Sequence, residues 1–143
     1  MTNQSEPLVE RGHAAGDALE AWNWRLRERS PGLLVVECDL PEALKNPQGQ
    51  LFGGFTPTYV DLVSIFTAHT FHELAESERP WMTTINMRCD YFEPILGPTF
   101  IVRGESLTRR GRTHLISTKF ILPDETLAAH ALTTLRELPA ETL

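Results

Sequence analysis

One stretch limits the folds open to this chain more than any other: the run from Thr56 to Phe71, TPTYVDLVSIFTAHTF. Val60, Val63, Phe66 and Thr67 recur at helical spacing, and Leu62 and Ile65 widen the stripe. A helix apolar around most of its girth must be buried on several sides. The spacing predicts a helix from about Thr56-Pro57, with Thr56 as N-cap and proline in the first turn, to about Leu74. Its length would be roughly 30 Å at about 1.5 Å per residue. The polar segment Glu76 to Pro80 closes it.

A loop rich in turn formers, Asn46 to Gly54, enters this helix through a glycine pair. Glycine admits close approach of a ligand to the backbone, and a helix N-terminus presents unpaired N–H groups and a positive dipole end. Asp61 stands in the second turn of an otherwise apolar helix. The combination suggests a site that binds an oxyanion and activates a water.

The flanking sequence supplies a sheet. Leu33 to Leu40 reads as a strand, and four further strands follow: Thr83 to Tyr91, Phe100 to Thr108, Leu115 to Leu122 and Leu127 to Leu138. Short turns at Gly97-Pro98, Arg110-Gly111-Arg112 and Pro123-Asp124-Glu125 make them antiparallel hairpins. In the first of the four, strict alternation puts Ile85, Met87, Cys89 and Tyr91 on one face and Thr84, Asn86, Arg88 and Asp90 on the other. Before the sheet, Leu19, Trp22 and Leu26 predict an N-terminal helix over residues 14–29, stopped by Pro31-Gly32. Residues 1–13 read as a flexible tail. The result is one α+β domain over residues 1–143, a long central helix wrapped by a curved antiparallel sheet.

Composition narrows the function. A net charge of −6 and a pI near 5.3 argue against non-specific nucleic-acid binding. No run has the roughly 18 apolar residues of a membrane span, and the polar N-terminus has no signal-peptide core, so the expected location is cytoplasmic. Cys38 and Cys89 have no metal-type spacing and read as free thiols. His69, His72 and Glu73 lack a metalloprotease spacing and read as late-helix surface. No metal site is expected.

With these residues in place, the chain resembles the hotdog-fold thioesterases, in the branch of the phenylacetate-pathway and mammalian thioesterase-superfamily acyl-CoA enzymes. That pattern is an asparagine, a glycine, a His-Gly-Gly and a helix aspartate; here Asn46, Gly49, Phe52-Gly53-Gly54 and Asp61 stand at those places. The likeness spans about residues 30 to 138. It implies hydrolysis of acyl-CoA to free acid and CoA, with no cofactor beyond the CoA of the substrate. It implies that the N–H of Gly53, with Gly54, polarises the thioester carbonyl, and that Asp61 acts as general base or as nucleophile. Asn46 would orient water or substrate, and Thr84 would hold the water. Arg109, Arg110 and Arg112 would clamp the CoA phosphates. Phe52, where the family has histidine, cannot donate a hydrogen bond. The resemblance also implies a homodimer, or a tetramer of paired dimers, with the site shared across the dimer interface. The acyl pocket would be lined by Phe55, Tyr59, Phe66 and Met82. Two other readings stay open: a non-catalytic acyl-CoA binder, and an acyl-thioester hydratase. The second would need a histidine five positions after Asp61, where Phe66 stands.

Overall fold

Helix α2, Thr56–His69, lies across a six-stranded antiparallel sheet in this computed structural model, which describes residues 7–72 and 78–139. The elements run α1 (Ala14–Ala18), β1 (Arg25–Ser30), β2 (Leu33–Asp39), α2, β3 (Met82–Tyr91), β4 (Thr99–Arg110), β5 (Thr113–Ile121) and β6 (Leu127–Glu137). Short 3-10 turns stand at Ala21–Asn23, Glu42–Leu44 and Gly53–Phe55. The strand order is β1-β2-β4-β5-β6-β3, so β3 is an edge. This is the hotdog arrangement: one helix held in a curved sheet. No helix among the described residues is long and apolar enough to cross a membrane.

The helix buries Tyr59, Val60 and Val63 against Val36, Phe100, Val102 and Phe120 of the sheet. Tyr59 is fully buried among rings, stacked on Trp24 at 5.6 Å and edge-on to Phe100 at 5.4 Å. It is therefore a core residue and not a pocket wall. The helix is also shorter than its apolar run suggests. It ends at His69, 14 residues, or about 21 Å by the helical rise; Glu73 and Leu74 lie outside the described residues. Its N-cap is Phe55, with no side-chain capping bond, and the 3-10 turn at Gly53–Phe55 feeds directly into it. Thr56 is the first helical residue and is buried.

The expected helix over residues 14–29 is a single short turn of helix followed by a strand. Glu20 takes a left-handed conformation (φ 53°) that ends the helical path, and Trp24 turns inward onto Tyr59. From Arg25 the chain pairs with β2. The Arg25 guanidinium reaches Glu37 at 2.7 Å and Asp39 at 2.9 Å, and Arg27 also contacts Glu37. Cross-strand pairing with an acidic neighbour overrides the weak helical spacing of Leu19, Trp22 and Leu26. The tail is not free along its described length either. Val9 is 3% exposed and packed in the core, Arg11 stacks 3.6 Å from the Trp22 ring, and the Gly12 N–H reaches the Asp17 carboxylate at 3.0 Å.

One residue sets how closely helix and sheet meet. A methyl group built on Gly104 of β4 would lie 2.0 Å from the Thr67 hydroxyl and 3.0 Å from Val63. That hydroxyl is held by its 2.6 Å bond to the Val63 carbonyl, so it has little room to yield. Gly104→Ala should therefore cost about 1–3 kcal/mol of stability through overpacking. Thermal denaturation of the variant checks this, and an unchanged melting temperature would refute the close contact.

Candidate active site

The loop before α2 is organised by Asn46. Its Oδ1 accepts from the N–H groups of Gln48 and Gln50, each at 3.0 Å, and its Nδ2 lies 3.3 Å from Gln50 Oε1. Gly49 closes the turn at φ +78°, a conformation that suits glycine, and its N–H donates to the Asn46 carbonyl at 3.0 Å. Asn46 thus spends its side-chain oxygen on its own loop, as an asparagine in a turn does. The loop delivers Gly53 and Gly54 to the start of the 3-10 turn, where both are exposed. As leading residues of a helical segment they have N–H groups with no intrahelical acceptor.

Two aromatic residues hold this turn. The Tyr91 hydroxyl, from the end of β3, donates to the Gly53 carbonyl at 2.7 Å. Burial raises the Tyr91 pKa, so the hydroxyl keeps its proton at neutral pH. The Phe52 ring lies over Gly54, whose missing Cβ leaves it room, and it meets Phe55 edge-on at 6.0 Å. Phe52 is 54% exposed. A notch of about 300 Å³ lies beside the turn, with Asn46, Gly53, Thr56 and Tyr91 among its walls.

Asp61, half-buried in α2, accepts a hydrogen bond from the Thr84 hydroxyl of β3. Strict alternation would have placed Thr84 on the far face of the sheet with Asn86 and Arg88. A β-bulge corrects that expectation. Thr84 pairs with Leu135 and Asn86 with Thr134, so Ile85 is an extra residue without a partner on β6. The face reverses at the bulge. Met82 and Thr84 before it, and Met87 and Cys89 after it, pair with Glu137, Leu135, Thr133 and Ala131. Leu135, Thr133 and Ala131 are all buried, so this shared side is the one that faces the helix.

The three arginines do not join this site within one chain. Arg109 lies 5.0 Å from the centre of the Phe71 ring and 3.7 Å from Glu137. Phe71 follows the C-terminal end of α2, whereas Gly53 precedes its N-terminal end. Arg110 and Arg112 flank the same remote hairpin and are exposed.

At that remote end is a cluster that spacing along the chain did not announce. Glu137 Oε1 accepts from His72 Nε2 at 3.0 Å and from the fully buried His114 Nε2 at 2.9 Å. Sheet register gathers them: His114 pairs with Leu135, and the Glu137 N–H donates to the Arg112 carbonyl. Among the described residues no group of three or more His, Cys, Asp and Glu is arranged to hold a metal ion.

Comparison with known proteins finds no matching protein-family model and no matching curated protein. Solved structures do match, and they give the fold. A hypothetical thioesterase from Streptococcus pneumoniae TIGR4, crystallised with coenzyme A, superposes with a TM-score of 0.75 at 16% identity, covering 88% of this chain and 93% of that one. A Streptococcus mutans protein bound to acetyl CoA gives 0.71 at 17% identity, over 81% and 89%. A proposed thioesterase from Ralstonia eutropha, related to phenylacetic acid degradation, gives 0.71 at 20% identity, over 87% and 89%.

The electrostatics of the Glu137 cluster can be checked directly. Burial pushes the Glu137 carboxyl up, but hydrogen bonds from His114 and His72 outweigh it, and its pKa falls below the ordinary 4.5. A carboxylate depressed by folding adds stability above its unfolded pKa and loses it as pH falls through the folded value. Glu137→Gln should lose about 1–3 kcal/mol at neutral pH. Denaturant titrations across pH should show the gap to the native protein narrowing below about 4.5; a gap constant with pH would contradict the assignment.

Proposed function

We propose that this protein hydrolyses acyl-CoA thioesters to a free acid and CoA. The observation that carries the reading is the Thr84–Asp61 hydrogen bond on the face that meets the helix. Supporting it are exposed glycines at a helix start and a fold shared with proteins described as thioesterases, one of them crystallised with coenzyme A, and with a further protein bound to acetyl CoA.

Thr84 occupies Asp61 Oδ1 and so orients the carboxylate, leaving Oδ2 to act. As a base, Oδ2 takes a proton from a water while the water oxygen bonds to the thioester carbon. The carbonyl electrons move onto oxygen, where the Gly53 and Gly54 N–H groups can receive them. Collapse of that intermediate breaks the C–S bond, and CoA leaves with the sulfur electron pair and takes up the proton held on Asp61 Oδ2, which restores the carboxylate. The alternative step has Asp61 attack the carbon itself and water cleave the resulting anhydride. Either route needs fixed donors at the oxyanion, which are typically worth about 3–4 kcal/mol each.

The β3 edge favours a site completed by a second copy. Trp81, Ile85, Tyr91 and Phe92 are all more than half exposed in or beside this strand, whose outer edge has no partner in the sheet. Open apolar edges invite strand pairing, and pairing β3 with its counterpart would bring a second copy beside Asp61 and Thr84. The chain is expected to be a dimer at least. Light scattering at several concentrations checks this, and a concentration-independent monomer would contradict it.

Phe52 supports one competing reading, a binder without turnover, because its ring covers Gly54 and offers no hydrogen bond. Thiol release from a panel of acyl-CoAs separates the two. Hydrolysis should be present in the native protein and fall about 10²–10⁴-fold in Asp61→Asn, the range for loss of a general base. Undiminished turnover in that variant would sink the assignment; tight binding of the panel without thiol release would favour the binder.

A further inference from the structure

A cavity of about 490 Å³ lies between α2, the start of β3 and the N-terminal segment. Val9, Leu62, Ile65, Phe66, Trp81 and Met82 form its apolar part, and Glu10, Arg11 and Arg79 bring charge to the rest of its lining. The volume falls within the roughly 300–1,000 Å³ of small-molecule pockets.

Two residues of the cavity wall neighbour the Asp61–Thr84 pair, one on each element. On the helix, Ile65 is one turn beyond Asp61 on the same face. On the strand, Met82 precedes Thr84 by two residues, before the bulge, and shares its inward face. Ile65 and Met82 also belong to one packed cluster with Ala68, Ile116 and Leu135. An acyl group whose carbonyl carbon sits at Asp61 therefore has an apolar slot directly beside it. His69, at the far end of the wall, brings no charge. Its Nε2 lies 3.0 Å from the Pro80 carbonyl, so that nitrogen carries the proton, and burial lowers the pKa of the ring.

The remaining wall is the strap of residues 9–13. Val9 is pinned beneath it, so close to α1 that a methyl group on Gly16 would lie 2.6 Å from Val9 Cγ1. The Arg11 stack on Trp22, the Gly12–Asp17 bond and the 3.0 Å bond from the Gly16 N–H to His13 Nδ1 fasten the rest. This wall is built from a segment outside the sheet and can be moved without touching Asp61.

We infer that this cavity receives the apolar acyl group of the substrate, and that the strap pinned by Val9 on Gly16 sets the longest chain it accepts. The inference rests on the thioesterase reading for its orientation, and its test includes a readout independent of turnover. The acyl class is a non-polar chain or ring that enters past Ile65 and Met82 and stops at the strap.

The test uses the full chain, a series of straight-chain acyl-CoAs from acetyl to palmitoyl, and matching non-hydrolysable alkyl-CoA thioethers. In the native protein kcat/KM and thioether affinity should both climb with length to a ceiling. Ile65→Trp fills the slot and should lower the ceiling, cutting the long-to-short ratio by at least about tenfold, as loss of pocket contacts with a methylene or two does. Val9→Ala cuts back the strap side of the cavity. It should raise the ceiling, with a similar gain in the ratio of palmitoyl to hexanoyl. Variants that rescale all chain lengths by one factor would overturn the inference, as would thioether affinity indifferent to length or absent. Length-dependent thioether binding without hydrolysis in any case would defeat the thioesterase reading while leaving the pocket standing.

Discussion

The bulge at Ile85 is the constraint on which the candidate site depends. One residue without a partner on β6 reverses the facing of the strand, and Thr84 arrives on the helix side instead of the outer one. Without that reversal Asp61 would stand in an apolar helix with no hydroxyl to hold it. How closely the helix meets the sheet is set at Gly104, where Thr67 and Val63 lie against the β4 backbone. A larger residue there would lift α2 from β4. Core packing and site geometry are thus two effects of one helix position.

The same helix divides the molecule chemically. Its N-terminal end meets the Asn46 loop, the glycine turn and the Tyr91 hydroxyl, all groups with spare N–H donors or short polar reach. Its C-terminal end meets Arg109 and the Glu137 carboxylate with two imidazoles. The first end suits an anion that forms and disappears. The second is a carboxylate held by two imidazoles, and its arginine is already engaged with Phe71 and Glu137.

Much of this was legible in the sequence, and the failures have physical causes. The buried helix, the β2 strand and the four later strands were readable because apolar periodicity and turn residues agree along those stretches. Asp61 stood out because a carboxylate in an apolar helix is conspicuous. The Asn46 turn could be read as a turn, and its bonds are those of one. Residues 14–29 misled because Leu19, Trp22 and Leu26 fit a helix by spacing, while their partners, Tyr59 for Trp24 and Glu37 for Arg25, lie far along the chain. Thr84 could not be faced correctly because a bulge leaves no mark in an alternating pattern. The strap was invisible because Leu8 and Val9, an adjacent apolar pair in a polar tail, carry no period, and its other contacts are single side-chain ones. His72, His114 and Glu137 meet only through strand register, which no local pattern encodes.

Asp61 and Thr84 are expected to work as one unit. A double-mutant cycle on acyl-CoA hydrolysis, with Asp61→Asn, Thr84→Val and the pair, tests this most directly. If the threonine acts only by holding the carboxylate, the double variant should be no slower than Asp61→Asn alone. Losses that multiply would mean the two residues act separately, and Thr84→Val with native activity would mean that the hydrogen bond has no part in the chemistry.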